Sequence, residues 1–280
     1  MVRFEGQTVW ITGASSGIGE ALARVFSAEG ASVILSGRRV DALEAVAKTM
    51  DTDTLILPFE ATDYPALAPA VDAAWAWKGR VDVLVNNAGV SQRSLAVDTA
   101  PDVYRDLIDI DLIAPIWLTQ LQLPRMVDAG GAHIVAISSV AGRIGAPLRT
   151  AYCAAKHGLI GYMDALRAEV EKLHKIKVTN VLPGSVATNV SRNAMTADGS
   201  SRGRSDAAID GGDDPMDCAR AIVDAVVNGV PELLFAQGQE REAAMLRHAD
   251  PDAFFDLIRD IGAVVAEHHV AERNAQETDG

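Results

Sequence analysis

The chain has 280 residues, 49% of them hydrophobic, and a formal net charge of −13 at pH 7. This length and composition are sufficient for one large core, so we predict a single domain over residues 1–280. The acidic balance and the absence of a basic stripe disfavour nucleic acid and an anionic membrane surface as partners.

Short apolar runs alternate with helical patterns along most of the chain. The apolar runs predict strands at 8–11, 32–36, 54–59, 81–85, 132–138, 177–182 and about 233–236. The helical patterns predict helices at about 18–29, 40–50, 64–77, 101–127, 150–174, 215–228, 240–247 and 251–267, with a frayed polar end after the last one. Strands that are apolar throughout and alternate with helices indicate a parallel sheet covered on both faces. The predicted fold class is therefore α/β: a three-layer, doubly wound, Rossmann-like fold with a mostly parallel sheet of about seven strands.

Residues 191–214 interrupt this alternation, because they are rich in Ser, Gly, Asp and Arg with only scattered apolar residues. A loop of this length in a compact domain is usually either a lid or disordered. It follows the carboxyl end of a strand, where such sheets bind ligands, so we favour a variable substrate lid over about 189–214. The C-terminal helical extension, about 238–270, is expected to cover the active site or a subunit edge.

The remaining composition points to a cytoplasmic protein without a metal. Cys153 and Cys218 provide neither a disulfide framework nor the spacing of metal ligands, and the six histidines are scattered. The N-terminus lacks the pattern of a secretory signal, and no run of eighteen apolar residues predicts a membrane-spanning helix. A soluble, cytoplasmic location is the resulting expectation.

Glycines cluster where the first strand meets the first helix, in the run Thr-Gly-Ala-Ser-Ser-Gly-Ile-Gly at 12–19. Glycines at such a junction allow a tight turn, close approach of a pyrophosphate and close packing of the helix on the sheet. The helix N-terminus then offers N–H donors and a positive dipole end to the phosphates. A strand-to-helix turn that merely needs glycine is the alternative, but this context favours dinucleotide binding.

The end of the second strand indicates which dinucleotide is preferred. Enzymes that prefer NAD place a carboxylate there for the ribose hydroxyls, whereas this chain has Gly37 followed by Arg38 and Arg39. Guanidinium groups suit a 2′-phosphate by charge and by their forked donors, and Ser15 and Ser16 could add hydroxyl donors. The alternative is two solvated arginines at a helix start. We predict NADP(H), with NAD(H) less favoured.

Two more strand ends carry polar residues that could serve a ligand. Asn-Asn-Ala-Gly at 86–89 closes the fourth strand, where Asn side chains can tie backbone groups together and Gly89 can admit a ligand. Ser138 and Ser139 close the fifth strand. Taken alone, each is equally consistent with an ordinary turn.

Tyr152 and Lys156 lie four residues apart in a helical pattern, which places both side chains on one face. A nearby ammonium favours the phenolate form of a phenol. Such a phenol can give or take a proton at an oxygen, which the reduction of a ketone or the oxidation of an alcohol requires. The pair alone is weak evidence, because this spacing arises by chance in many helices.

These features together resemble the short-chain dehydrogenase/reductase family in its single-domain Rossmann-fold form. The resemblance covers about residues 6–236. It rests on motifs that follow one another in the family's order: Thr-Gly-x-x-x-Gly-Ile-Gly at 12–19, Asn-Asn-Ala-Gly at 86–89, Ser139, Tyr-x-x-x-Lys at 152–156, and Pro-Gly at 183–184 with Thr188.

The resemblance implies a role for each catalytic residue. Tyr152 would be the proton donor or acceptor, and Lys156 would bind the nicotinamide ribose and favour the ionised form of Tyr152. Ser139 would hydrogen-bond the substrate oxygen; it is preferred to Ser138 because it precedes Tyr152 by the family's separation of thirteen residues.

The resemblance also implies a cofactor site. Thr188 would hold the nicotinamide carboxamide, with Pro183, Gly184 and Val186 lining its pocket. Asn87 would lie along the cofactor. The full set of candidate cofactor-binding residues is Gly13, Ser15, Ser16, Gly17, Ile18, Gly19, Gly37, Arg38, Arg39, Glu60, Ala61, Asn87, Ala88, Gly89, Tyr152, Lys156, Pro183, Gly184, Val186 and Thr188.

One position departs from the family, which usually has an asparagine where this chain has Asp111. The family's asparagine is thought to hold a relay water through its backbone carbonyl, and a carboxylate would still permit that. Alternatively, Asp111 could pair with Lys156 and weaken its effect on Tyr152. Asp111 is kept as a fourth candidate catalytic residue.

The resulting hypothesis is an NADP(H)-dependent oxidoreductase, of carbonyl-reductase type, that interconverts a secondary alcohol and a ketone or aldehyde. Its partner would be a small-molecule carbonyl or alcohol. The resemblance also implies a homodimer or homotetramer formed through helices 101–127 and 150–174. Two alternatives stay open: an epimerase or dehydratase of the extended branch of the superfamily, and a non-catalytic dinucleotide-binding sensor or scaffold.

Overall fold

A computed structural model describes residues 2–278, with side chains through Ala271. Within these residues seven strands form one sheet: β1 Thr8–Thr12, β2 Ser32–Ser36, β3 Thr54–Ile56, β4 Val83–Asn86, β5 Ala132–Ile137, β6 Ile176–Pro183 and β7 Glu232–Phe235. The α-helices are α1 Gly17–Ala28, α2 Val40–Ala47, α3 Tyr64–Lys78, α4 Pro101–Ile108, α5 Ala114–Asp128, α6 Thr150–His174, α7 Ala207–Asp210, α8 Pro215–Asn228, α9 Gly238–Ala249 and α10 Pro251–Thr278. A π-helical turn spans Asp109–Ile113 and a 3₁₀ turn spans Val140–Gly142.

The sheet has the order β3-β2-β1-β4-β5-β6-β7, and every neighbouring pair of strands is parallel. This confirms the predicted doubly wound α/β fold, with a sheet that is parallel throughout. The order of the strands reverses between β1 and β4. In such sheets the crevice at the carboxyl ends of those two strands is where ligands bind.

Two apolar layers cover the sheet because successive strand residues point to opposite faces. Val9 and Ile11 of β1 pack with α1 and α8, whereas Trp10 between them packs with α3, α5 and α6. The same alternation runs through β2 and β4. The rigid sheet therefore holds the carboxyl ends of its strands, and the loops after them, in fixed relative positions.

The third strand is shorter than predicted, ending at Ile56 rather than Phe59. Hydrogen bonding to β2 nevertheless continues past Ile56, because the N–H groups of Leu57 and Phe59 donate to the carbonyls of Leu35 and Gly37. Pro58 lies between these two donors, so its missing N–H would point away from β2, at the open edge of the sheet.

The long helix predicted over 101–127 is in fact two α-helices joined by the π-helical turn at Asp109–Ile113. Pro115 lies just after this turn. It has no N–H to donate to the carbonyl four residues earlier, that of Asp111, so the α-helical ladder lacks one bond at this point and the backbone forms the π-helical turn there. A π-helical turn inside a helix is frequently found at a functional site.

The ends of the other elements differ from prediction by a few residues, with one exception. The last helix, α10, continues to Thr278 where we expected a frayed end, while Asp279 and Gly280 lie outside the described residues. Ala and Glu, which favour helices, are frequent along this stretch. Among the described residues no helix has both the length and the apolar character needed to cross a membrane.

Candidate active site

A cleft with a volume of about 480 Å³ opens at the carboxyl ends of β1 and β4. This size lies within the usual range of small-molecule sites. Every predicted catalytic or cofactor-binding residue lines the cleft except Gly19, which lies buried behind it. Seven further lining residues belong to the predicted lid: Asn189, Val190, Asn193, Met195, Gly199, Ser201 and Ile209. The lining residues that were not selected as site residues are Thr12, Phe59, Val90, Ile110, Ile137 and Ser138.

The glycine-rich turn after β1 is built for close approach to a ligand. Gly17 begins α1 with a φ of +59°, which disfavours a residue with a side chain. A Cβ on Gly19 would lie 2.3 Å from the carbonyl oxygen of Gly13, so the helix can pack against the turn only with glycine there. Ser16, the N-cap residue, makes no side-chain hydrogen bond to the helix. The first N–H groups of α1 are thus left for a ligand, which is the arrangement that binds a diphosphate.

The Asn-Asn-Ala-Gly turn is fastened to the glycine-rich turn by Thr12, a residue that sequence reasoning did not select as a site residue. The Thr12 hydroxyl accepts hydrogen bonds from the backbone N–H groups of Asn87 and Ala88, each at 3.0 Å. The Asn87 amide donates to the carbonyl oxygens of Thr12, at 2.9 Å, and Gly13, at 3.2 Å. Asn86 instead points into the fold, where its amide donates to Thr119.

Cationic and hydroxyl groups meet at the end of β2. The Arg39 guanidinium donates to the hydroxyls of Ser15, at 3.1 Å, and Ser16, at 3.3 Å. Arg38 lies 3.4 Å from a carboxylate oxygen of Glu60 and is mostly exposed to solvent. A Cβ on Gly37 would make only ordinary contacts, at 3.8 Å, so the space does not demand glycine there. This corner therefore holds positive charge and hydroxyl donors with room for a further anionic group.

The two serines at the end of β5 have different partners. The buried Ser138 hydroxyl donates to the backbone carbonyl of Lys156 at 3.1 Å and so ties β5 to α6. The half-buried Ser139 hydroxyl accepts from the Ala141 N–H at 3.1 Å and makes a long contact of 3.4 Å with the Pro183 carbonyl. A ligand oxygen could displace that long contact more readily than the internal bond of Ser138. The choice of Ser139 stays a prediction with this geometry in its favour.

Tyr152 and Lys156 lie on one face of α6, as their spacing predicts. The Lys156 ammonium lies 5.6 Å from the centre of the Tyr152 ring and donates to the Ile137 carbonyl at 3.1 Å. Tyr152 is half-buried and packs against the apolar cluster of Val103, Leu107 and Ala151. The phenol thus stands at the cleft wall with an ammonium group beside it.

Asp111 pairs directly with Lys156, which is the second of the two alternatives for this departure from the family. Its Oδ2 lies 3.2 Å from the Lys156 ammonium, and its Oδ1 accepts the Val90 N–H at 2.8 Å. Both side chains are almost fully buried. A Cβ on Gly89 would lie 3.1 Å from Oδ1 of Asp111 and 3.3 Å from the ammonium, so glycine leaves room for the pair.

Burial and charge set the ionisation of this pair. Burial raises the pKa of Asp111, and the Lys156 ammonium only partly opposes that effect. Burial by itself would lower the pKa of Lys156, but the Asp111 carboxylate and Tyr152 outweigh it and raise that pKa. Lys156 therefore keeps its charge, while Asp111 takes up a proton at a higher pH than an ordinary carboxyl group does.

The end of β6 and the segment after it also line the cleft. Pro183, Gly184, Val186 and Thr188 all line it. The methyl group of Thr188 stands against the glycine-rich turn, because a Cβ on Gly17 would lie 3.0 Å from it. The predicted nicotinamide pocket is thus brought next to the predicted phosphate-binding turn.

A cluster of partly buried charged and polar groups connects the predicted lid to the loop after β4. The Asp206 carboxylate is paired with Arg93 and Arg202, whose side chains are 11% and 15% exposed, and accepts the Ser191 hydroxyl at 3.0 Å. Met195 pairs its backbone with residues 91–93 of the loop after β4. The segment consists of turns and the short helix α7. Its function as a lid stays a proposal.

Within the described residues, no group of three or more His, Cys, Asp or Glu side chains is placed to hold a metal ion.

Comparison with known proteins places the chain in a family. The family model for short chain dehydrogenase matches residues 7–199. The chain is 39% identical over 259 residues to Dehydrogenase/reductase SDR family member 7B of Bos taurus, covering 89% of this chain and 79% of that protein. It is 40% identical over 265 residues to Dehydrogenase/reductase SDR family protein 7-like of Anopheles gambiae, covering 92% and 83% of the two chains.

Solved structures show the same architecture. Levodione reductase superimposes with a TM-score of 0.73 at 22% identity, covering 85% of this chain and 99% of that one, a likeness of fold. A short chain dehydrogenase from Mycobacterium paratuberculosis bound to NAD gives a TM-score of 0.71 at 26% identity, with the same coverage. The sequence matches, the parallel sheet and the motifs around its cleft agree with one another. The chain belongs to the short-chain dehydrogenase/reductase family of oxidoreductases.

Proposed function

We propose that the protein is an NADP(H)-dependent oxidoreductase that interconverts a secondary alcohol and a ketone or aldehyde. The observation that carries this proposal is the meeting of Ser139, Tyr152 and Lys156 at one cleft wall, opposite a turn with the features of a diphosphate site. A non-catalytic sensor would have no need for this conjunction.

The predicted catalytic residues serve two purposes, proton transfer and positioning of the substrate. The chemistry that a bound nicotinamide supplies is the transfer of a hydride. The Tyr152 phenol would give a proton to the substrate oxygen during reduction and take one during oxidation. Ser139 would orient that oxygen by a hydrogen bond. The buried Lys156 ammonium would favour the ionised phenol after the proton has left.

The preference for NADP(H) rests on the corner at the end of β2. The 2′-phosphate of that cofactor carries negative charge and several acceptor oxygens, which match the guanidinium of Arg39 and the hydroxyls of Ser15 and Ser16. Arg38 already faces the Glu60 carboxylate, which offsets the negative charge of that residue. Gly37 adds no carboxylate of its own.

Titration of the purified protein with NADPH and with NADH, followed by nucleotide fluorescence, tests the proposal. We expect saturable binding of both, with NADPH binding at least tenfold more tightly because each charge-assisted hydrogen bond to the 2′-phosphate contributes about 1.5–3 kcal/mol. Screening of ketones and aldehydes with NADPH oxidation as the readout follows. Tighter binding of NADH would contradict the assignment of the cofactor, and absence of binding would contradict the enzyme class.

A binding protein without activity is the main alternative. Binding of NADPH with no turnover of any compound in a broad panel of carbonyls and alcohols would favour a sensor. An epimerase or dehydratase is disfavoured by the Gly-x-x-x-Gly-x-Gly spacing at 13–19.

Cytoplasmic location and a homodimer or homotetramer through α4, α5 and α6 stay proposals. Trp117 of α5, which is 47% exposed, is the kind of side chain that interfaces bury.

The Asp111 carboxylate should leave a signature in the pH dependence of reduction. Asp111→Asn removes the buried negative charge beside Lys156, while its amide oxygen can still accept the Val90 N–H. Loss of that charge changes the electrostatic field in the cleft, so kcat/KM should differ from wild type at every pH at which Asp111 is ionised. Because the pKa of Asp111 is raised, the wild-type carboxylate should gain a proton above the ordinary carboxyl range, and the two profiles should converge on the acid side.

Profiles of kcat/KM against pH for wild type and variant provide the measurement. Asp106→Asn, which changes an exposed carboxylate on the neighbouring α4, is the control for net charge. If the profiles of wild type and Asp111→Asn superimposed over the whole pH range, the charge of this carboxylate would have no effect on the reaction.

A further inference from the structure

The carboxylate of Glu240 reaches from the C-terminal extension to the segment that follows β6. Glu240 is half-buried in the first turn of α9. One of its oxygens accepts the backbone N–H of Ser185 at 2.7 Å, and the other accepts the Ser185 hydroxyl at 2.9 Å. Both bonds are charge-assisted, and such bonds are roughly twice as strong as those between neutral groups.

Ser185 does not itself line the cleft, but it lies between two residues that do. Its neighbours Gly184 and Val186 both line the cleft. A Cβ on Gly184 would lie 2.3 Å from Oε2 of Glu240, so the carboxylate occupies the space that this glycine leaves free. On the other side, the Ser185 carbonyl accepts the Asp213 N–H at 3.0 Å. The segment is thus held between α9 and the end of the predicted lid.

The position of α9 is itself fixed by packing. Ala244 of α9 and Phe254 of α10 are buried in an apolar cluster with Val140, Ile144 and Ala236. Val140 directly follows Ser139, so the cluster that holds α9 also includes a neighbour of the predicted catalytic serine. A glutamate in the first turn of a helix often serves only the N-terminus of its own helix. Here both oxygens are bonded instead to a residue far away in sequence.

We infer that Glu240 is a positioning residue, which holds the segment 184–188 in the shape that receives the nicotinamide half of the cofactor. This inference rests on the proposed function, because it assigns a task to Glu240 only if a nicotinamide dinucleotide binds. It gives the C-terminal extension a role in the site. Ordering of the segment before binding lowers the entropy cost of binding the nicotinamide half, and leaves the adenosine half unaffected.

Two ligands separate this role from a general structural one. NADPH fills both halves of a dinucleotide site, whereas adenosine 2′,5′-bisphosphate has no nicotinamide. Glu240→Ala should weaken NADPH binding about tenfold to a hundredfold, the range expected when two charge-assisted bonds are lost. Its dissociation constant for adenosine 2′,5′-bisphosphate should stay within about twofold of wild type. Calorimetric titration measures both constants.

Matched variants complete the experiment. Glu240→Gln keeps the volume beside Gly184 without the charge and should weaken NADPH binding by an intermediate factor. Glu242→Ala, which removes an exposed glutamate from the same helix, should bind both ligands as wild type does. Unchanged NADPH binding by Glu240→Ala, or equal weakening of both ligands, would overturn the inference. Wild-type protein that binds neither ligand would overturn the proposed function, and the inference with it.

Discussion

Tyr152→Phe is expected to reduce kcat for carbonyl reduction by about 10²- to 10⁴-fold, the usual contribution of a positioned proton donor. The change removes one oxygen and keeps the ring, which packs against the apolar cluster of Val103, Leu107 and Ala151. The site should therefore keep its shape, and the affinity for NADPH should change by no more than about twofold. Loss of turnover with binding preserved would identify Tyr152 as a residue of the chemical step.

Steady-state kinetics and a fluorescence titration of the same preparation provide the two measurements. Tyr104→Phe is the matched control, because that hydroxyl bonds to Thr150 at 2.8 Å and does not line the cleft. It should leave both quantities near their wild-type values. If the Tyr152→Phe enzyme kept its kcat, the phenol would not be the proton donor. The assignment of the catalytic residues would then be wrong.

Gly37→Asp is expected to reverse the preference between the two cofactors. The new carboxylate would stand beside Arg38 and Arg39 at the end of β2, where enzymes that prefer NAD place one for the ribose hydroxyls. Repulsion between this carboxylate and the 2′-phosphate should weaken NADPH binding on the order of a hundredfold. NADH, which lacks that phosphate, should bind at least as well as it does to wild type.

Gly37→Ala is the matched control, because a Cβ at this position makes only ordinary contacts. It should bind both nucleotides as wild type does, which would assign the effect to charge and not to bulk. Arg39→Gln should also weaken NADPH binding, about tenfold, and leave NADH unchanged. If Gly37→Asp left the ratio of the two affinities unchanged, the 2′-phosphate would have to bind elsewhere in the cleft.

The sequence alone was sufficient for those parts of the protein that depend on neighbours along the chain. Alternating apolar runs and helical patterns predicted the parallel sheet, because burial on both faces forces each strand to be apolar throughout. The glycine-rich turn at 12–19 could be predicted because its glycines are required by the local backbone conformation and by the close packing of the helix on the turn. The spacing of Tyr152 and Lys156 predicted their common face, because the period of a helix is constant.

A local rule also applies where the prediction of one long helix failed. Pro115 lies where the predicted single helix divides into two, and it removes a backbone donor from the helical hydrogen-bond ladder. This proline was visible in the sequence. Its effect depends on how the backbone compensates for the missing N–H, and the helical pattern around it did not reveal that.

Only the tertiary structure decided which distant side chains share a charge or a hydrogen bond. The sequence left open whether Asp111 would pair with Lys156, because the two lie on separate helices that meet only in the fold. It held no signal for the bonds of Glu240 to Ser185, or for the pairing of Asp206 with Arg93. Such contacts follow from how helices and loops pack across the sheet. They are set by the three-dimensional arrangement of residues far apart in the chain, and not by any local pattern.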